Sequence, residues 1–335
     1  MIPVAVIGAS GYTGLELIKI LFRHPEFELV YAATSEGETT IDALHPSLKN
    51  VISMPVEKAD AAAVAAVAQI AFLALPHKTA MGFAAGLLER GVKVVDLSAD
   101  YRLKLDTYEA HYCPHEDRAH LSEAVYGLPE FYREAIKKSR LVANPGCYPT
   151  ASLLGLLPFI PYIKAQTPIF IDAKSGVSGA GKKLSETTHY VTINENIFAY
   201  NPIRHRHAPE IAEKIDDLFL TQVQVNFVPH LLPVTRGMLC SIYMQLETDL
   251  DPIDVLNDFY KDEPFIRIRT SPVDIKSVAG TNFCDIFATV NGKSLVISSA
   301  IDNLLRGASS QAVVNANIIS GLDETLGIPK IACVP

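Results

Sequence analysis

The chain has few cysteines, and none is placed to pair. Five stand among 335 residues, at positions 113, 147, 240, 284 and 333, with no CxxC spacing. An odd, scattered set fits a reducing cytosol better than a disulfide framework, so a cytoplasmic protein is expected. A basic excess is also missing. The formal net charge of −8 argues against nucleic acid or an anionic membrane as the main partner. No apolar run is suited to a bilayer. The most apolar stretch, AAAVAAVAQIAFLALP (61–76), is Ala-rich, carries Gln69 and stops at Pro76. It reads as a helix running into a strand. The N-terminal MIPVAVIGASG lacks a basic n-region and a cleavage site, so no signal peptide is expected. There are no internal repeats and no low-complexity tails. What is present is enough apolar material, 49% of the residues, for two domains with cores of their own.

The first half alternates strands and helices. In PVAVIGASGYTGLELIKILFRHP, Val4 to Ile7 form a continuous apolar run, as in a buried parallel strand. Gly8, Gly11 and Gly14 follow at intervals of three, with Ser10, Tyr12 and Thr13 between them. Leu15, Leu17, Ile18, Leu21 and Phe22 then keep helical spacing. Strand, glycine turn and helix form a cradle in which backbone approaches a pyrophosphate held at the helix N-terminus. The next strand, FELVYAAT, ends at Thr34-Ser35. Small hydroxyls there leave room for a 2′-phosphate and favour NADP, although Glu36 stands one residue on. Further alternation through Pro76-His77, Ser98 to Arg102 and Asn144 to Cys147 predicts a doubly wound parallel sheet. Ligands of such sheets gather at the carboxyl strand ends.

NPGCYPT (144–150) is unusual for a cysteine. A turn at Asn144, Pro145 and Gly146 precedes it, and Pro149 suits a helix start. Cys147 therefore belongs at a helix N-terminus, where free N–H groups and the dipole favour a thiolate. A nucleophile needs a base. His24, His45, His111, His115, His120 and His189 stand in polar surroundings typical of a solvated surface. NPIRHRHAPEI differs, with His205 and His207 two apart between Arg204 and Arg206, and Glu210 three beyond. A bare His-x-His with no second ligand pair does not support a metal. IDAKSGVSGAGKK (171–183), with Ser175, Gly176 and Lys182, fits a flexible loop or an anion cradle. FVPHLLPVTRGMLCSIYMQL reads as strands of an antiparallel sheet. DNLLRGASSQAVVNANIISGL, which includes Asn303, reads as an amphipathic helix that returns to the first domain.

Together these pieces resemble the N-acetyl-γ-glutamyl-phosphate reductases of arginine biosynthesis, and more distantly the aspartate-semialdehyde dehydrogenases. The stretches VIGASGYTGLEL, VVDLSADYRL, VANPGCYPT, KSGVSGAGKK, NPIRHRHAPEI, GTNFCDI and DNLLRGASSQAV carry the likeness along nearly the whole chain. The resemblance implies an α/β Rossmann dinucleotide-binding domain (1–148) and an α+β substrate and dimerisation domain (149–304). A C-terminal helix (305–335) is expected to pack on the first domain. It implies NADPH-dependent reduction of an acyl phosphate through a thioester on Cys147, with His205, His207 and Glu210 serving acid/base chemistry. Gly8, Ser10, Gly11, Tyr12, Thr13, Gly14, Thr34, Ser35, Pro76, Ser98, Ser175, Gly176 and Asn303 would bind cofactor. Arg102, Asn144, Lys182 and Arg204 would bind substrate. A homo-oligomer, dimer or tetramer, is expected. The sequence departs from the family pattern at Glu36 and at Leu305-Arg306, where Gly-Lys is expected. Alternatives are a reductase of aspartyl phosphate or of a carrier-linked aminoadipyl or glutamyl phosphate, and a non-catalytic NADP-binding regulator.

Overall fold

The short apolar runs of the first half become strands: β1 (Ile2–Ile7), β2 (Phe27–Thr34), β3 (Thr39–Thr40), β4 (Pro55–Lys58), β5 (Ile70–Leu73), β6 (Lys93–Asp96), β7 (Val125–Tyr126) and β8 (Leu141–Ala143). They form one sheet in the order β3-β4-β2-β1-β5-β6-β8-β7, parallel except for β3 against β4. Val4 to Ile7 are fully buried, as their unbroken apolar run requires of a strand covered on both faces. The chain winds outward from β1 to β2 and resumes on the other side at β5, so the strand order reverses at β1. The computed structural model describes residues 1–333, and the last two residues of the 305–335 span lie outside it.

Two units result. The first is Met1–Gly146 with Ala308–Pro329; the second is Cys147–Gly307 with the tail from Lys330. The chain thus leaves the first unit between Gly146 and Cys147 and returns between Gly307 and Ala308.

The returning helix, Ser309–Ile319, corrects the amphipathic reading. All eleven of its residues are buried. It lies inside the first unit, against helices Tyr12–Leu21 and Pro129–Ile136. Its polar side chains turn to internal partners instead of water. Ser309 Oγ donates to Thr13 O at 3.0 Å, and Gln311 Nε2 and Asn315 Nδ2 both donate to Gly127 O at 3.2 and 3.0 Å. Buried polar groups persist only with such partners.

The second unit holds β9 (Ile169–Gly176), β10 (Phe198–Ala199), β11 (Val225–Leu232), β12 (Met238–Gln245), β13 (Ile266–Ile268), β14 (Cys284–Asn291) and β15 (Ser294–Ile301), in the order β10-β11-β9-β12-β15-β14-β13. The antiparallel expectation holds only in part. β11 runs parallel to β9, and β13 to β14. The reason is local. β9 lies between β11 and β12, so residues 233–237 bridge over the end of β9 and do not close a hairpin. Gly176 N donates to Gly237 O and Val177 N to Val234 O, both at 2.9 Å. Helices Cys147–Leu156, His207–Phe219 and Pro252–Tyr260 cover one sheet face. On β9 and β11 buried positions alternate with less buried ones.

Gly127 has no room for a side chain: an added Cβ would sit 2.3 Å from Asn315 Nδ2 and 2.8 Å from Val142 Cγ1. Gly127→Ala should therefore lower stability by about 1–3 kcal/mol through overpacking. Gly82→Ala, in an open helical position with nothing within 4 Å, should raise it by roughly 0.5–1 kcal/mol. Urea midpoints moving in the same direction for both would contradict this packing.

Candidate active site

In the first unit, the glycine turn is built for close approach of a ligand. Gly8 has φ +98°, and a Cβ on it would strike Ala74 O at 2.2 Å. A Cβ on Gly14 would strike Gly8 O at 2.3 Å. Helix Tyr12–Leu21 starts with Gly11 as its cap, without a side-chain capping bond. Ser10 and Tyr12 are exposed, and Gly11 and Thr13 half-buried, along this turn. The cradle fits a dinucleotide pyrophosphate, which the first N–H groups of the helix would hold. Pro76 is exposed in the loop after β5.

At the tip of β2, Thr34 Oγ1 accepts from Gly37 N at 3.0 Å, and Ser35 and Glu36 are exposed. The fold adds what the sequence reading missed. β4 pairs with β2 so that Lys58 stands in register beside Thr34. A basic residue therefore lies at this tip, 24 positions away in sequence. The run PVEK is too short and polar to announce itself as a strand.

In the second unit, Cys147 is the first residue of helix Cys147–Leu156, and every later residue of that helix is buried. Cys147 itself is partly exposed, whereas Cys240 and Cys284 are buried. Burial pushes the Cys240 thiol up to about 12 and leaves it inert. Beside Cys147, Tyr148 anchors a ring cluster. Its ring centroid lies 5.8 Å from those of both His205 and His207, and those two lie 4.8 Å apart. Phe227 and Tyr200 close the cluster around His205 at 5.4 and 5.5 Å. Tyr200 Oη donates to Tyr148 Oη at 3.1 Å, and Tyr148 Oη donates to His230 O at 3.3 Å. Burial raises the Tyr200 phenol to about 12, and the Cys147 charge pushes it the same way.

The two histidines are not equivalent. Burial, and secondly Arg206, depress His205 to about 4. Its Nδ1 accepts from His207 N at 3.2 Å, so the neutral ring carries its proton on Nε2. His207 opens helix His207–Phe219, and Glu210 follows one turn later, fully buried. Arg204 and Lys182 are exposed.

Several expected ligand residues are engaged internally. Asn144 is 1% exposed; its Nδ2 donates to Ala308 O at 3.2 Å and its Oδ1 accepts from Asn315 Nδ2 at 3.0 Å. Its side-chain amide is thus engaged at both ends within the unit. Arg102 donates from Nε to Asn144 O and from Nη2 to Leu97 O, both at 2.8 Å. Ser98 Oγ donates to Asp96 at 2.7 Å. Asp100, fully buried, accepts from Lys78 N and Met81 N and so caps helix Thr79–Leu88. In the second unit, Asn303 accepts from Gly237 N at 2.8 Å and donates to Ser178 Oγ at 3.0 Å. Ser175 and Gly176 end β9 beside it, both buried.

His24, His45 and His115 are not on the surface as expected. They are 4%, 6% and 3% exposed and bond backbone. His45 Nε2 lies 2.7 Å from Ala9 O in the glycine turn itself. Two further residues escaped the sequence reading. Asp302 is buried against Arg236, with Nε to Oδ2 2.8 Å, and holds Gly280 N and Leu304 N. Gly307 has Cys147 against it: an added Cβ would lie 2.7 Å from Cys147 Cβ.

Residues 3–139 match the family model described as semialdehyde dehydrogenase, NAD binding domain. Residues 147–303 match the semialdehyde dehydrogenase, dimerisation domain. A protein of a Sulfurovum species named N-acetyl-gamma-glutamyl-phosphate reductase is 66% identical over the full length of both chains. One of the same name from Wolinella succinogenes is 60% identical over 100% of this chain and 99% of its own. Among solved structures, aspartate semialdehyde dehydrogenase II of Vibrio cholerae, complexed with ASA, matches at TM-score 0.73 and 18% identity. It covers 96% of this chain and 98% of the other. The Candida albicans aspartate semialdehyde dehydrogenase with NADP gives TM-score 0.73 at 13% identity, with the same coverage. At these identities the structural likeness is one of fold. Among the described residues, no helix is long and apolar enough to cross a membrane.

Two buried groups titrate in opposite senses. Folded His205, near 4, refuses a proton that the unfolded imidazole takes at its usual 6.5. This group therefore stabilises the fold above pH 6.5, and that contribution is lost as pH falls toward 4. Asp96, raised to about 7 by burial from its usual 3.8, works the other way: the fold gains as pH falls through 7. His205→Asn should thus flatten the acid-side loss, by at most about 1.4 kcal/mol per pH unit. Urea midpoints from pH 7 to 4.5 should fall less in the variant than in wild type; parallel slopes would contradict the assignment.

Proposed function

Because the chain belongs to the semialdehyde dehydrogenase family, with relatives named N-acetyl-gamma-glutamyl-phosphate reductase along its whole length, we propose that it reduces N-acetyl-L-glutamyl 5-phosphate to the 5-semialdehyde and phosphate, with NADPH, through a Cys147 thioester. The single observation that carries the mechanism is Cys147, a partly exposed thiol at a helix start whose neighbour Tyr148 packs on both His205 and His207.

The Cys147 thiolate attacks the acyl carbonyl carbon; the C–O bond to phosphate breaks and the thioester forms. The helix N-terminus favours the thiolate before attack, and the Cys147 backbone N–H stabilises the oxyanion. Reduced nicotinamide, when bound, supplies the hydride that converts the thioester carbonyl to a thiohemiacetal. Collapse of that adduct breaks the C–S bond, releases the aldehyde and returns the thiolate. His207 takes the thiol proton, gives it to the thiohemiacetal oxygen as hydride arrives, and takes it back when the C–S bond breaks, while the departing phosphate takes its proton from water. The depressed basicity of His205 argues against it as the base. Glu210 orients His207, and His205 lies toward the substrate. Arg204 and Lys182 supply positive charge for the anionic acyl phosphate. Gly8 to Gly14, with Thr34, Ser35, Pro76 and Ser98, serve the cofactor, and Lys58 the 2′-phosphate. Ser175, Gly176 and Asn303 are further cofactor residues of this proposal. The assembly is a homo-oligomer joined through the open face of the second sheet, where exposed Phe170 and Tyr243 stand in register. Free thiols suit a cytoplasmic enzyme.

Cys147→Ser should abolish turnover while nucleotide binding stays near wild type. More than about a tenth of wild-type kcat, a barrier change of only ~1.4 kcal/mol, would rule out the covalent route. His207→Asn should lower kcat by about 10²–10⁴, and His205→Asn should mainly raise KM for the acyl phosphate; the reverse pattern would exchange their roles.

Lys58→Glu should reduce kcat/KM for NADPH about tenfold relative to NADH, the scale of one charge-assisted hydrogen bond. An unchanged NADPH/NADH ratio would remove Lys58 from cofactor recognition.

A further inference from the structure

Asn144 stands three residues before Cys147, and every polar group it has is engaged. Its N–H donates to Asp96 O at 2.8 Å, and its carbonyl accepts from Arg102 Nε at 2.8 Å. Its side chain accepts from Asn315 and donates to Ala308 O. Asn315, fully buried on helix Ser309–Ile319, uses the same Nδ2 on Gly127 O at 3.0 Å. Gly127 N in turn donates to Ala143 O at 2.8 Å. One amide group thus braces the end of β8 from two sides, at Ala143 through Gly127 and at Asn144 directly. Only Pro145 and Gly146 separate this brace from Cys147, and Pro145 has a fixed φ. Asn144 also ties the departing chain to the returning one at Ala308. One residue earlier, Gly307 lies against Cys147 Cβ and leaves no space for a side chain.

We propose that Asn315 is a positioning residue for the nucleophile: through Asn144 it fixes the turn 144–146 and so the direction in which Cys147 presents its thiol. The inference rests on the reading of Cys147 as nucleophile. The helix that carries Asn315 is buried throughout, and the one amide nitrogen serves Gly127 and Asn144 together.

The test uses the full-length protein with Asn315→Ala, Asn144→Ala and the double variant. Cys147 modification by iodoacetamide is followed by mass spectrometry across pH, beside kcat, KM, NADPH affinity and thermal midpoint. Each single variant should lower kcat and the Cys147 alkylation rate together by roughly 10- to 100-fold, the scale of a small misplacement of a reacting group. KM and NADPH affinity should stay within about twofold, and the pH midpoint of alkylation should move. The double variant should be no worse than the poorer single, because both break one link. Asn315→Asp keeps the shape and loses the donor, and it replaces Asn315→Ala if that variant does not fold. Wild-type alkylation rates and midpoints in the variants, or fully additive losses, would overturn the inference while leaving Cys147 as nucleophile. An unreactive Cys147 in the wild type, or an active Cys147→Ser, would overturn the nucleophile reading and this inference with it.

Discussion

Asn144 to Cys147 is the constraint around which the rest is arranged. A parallel strand must end, the chain must leave its unit, and a thiol must open a helix within four residues. Asn144 meets the first demand by filling all of its hydrogen bonds inside the first unit. Pro145 and Gly146 then turn the chain. The helix that follows is buried from Tyr148 onward, so its first residue is the part left partly exposed. Because Ala308 is tied to Asn144, the returning segment lies alongside the departing one. Asp302 and Arg236 hold the stretch before it, which brings Gly307 against Cys147.

The nucleotide cradle follows a different logic. Gly8 and Gly14 are held against backbone atoms at distances no Cβ tolerates. The turn therefore depends on what is absent, and ligand approach follows from that absence. His45 supports the same turn through Ala9 O, from a side chain that a polar setting had marked as surface. At the tip of β2 the chemistry is supplied from afar. Thr34 has a basic neighbour there because Lys58 arrives by strand pairing.

Burial does most of the electrostatic work in the second unit. It depresses His205, raises Tyr200 and disables Cys240, while Cys147 stays partly exposed. Position relative to the helix start, together with exposure, separates Cys147 from Cys240, since both carry the same functional group.

The strands and helices of the dinucleotide fold, the glycine turn and the placement of Cys147 at a helix start were legible in the sequence. Each rests on local rules: continuous apolar runs, helical spacing, and the few residues that can turn. The pair His205 and His207 was legible for the same reason, as neighbours in one segment. Tertiary structure alone decided the rest. It placed β9 between β11 and β12 and so made the second sheet mixed, because strand order depends on partners distant in sequence. It enclosed the Ser309–Ile319 helix, whose serines and amides look solvent-facing until Gly127 and Asn144 are brought within reach. It turned Asn144 inward, brought Lys58 beside Thr34 and set Gly307 against Cys147. None of these has a local signal, since hydrogen bonds and close contacts between residues 24 to 188 positions apart exist only once the chain has folded.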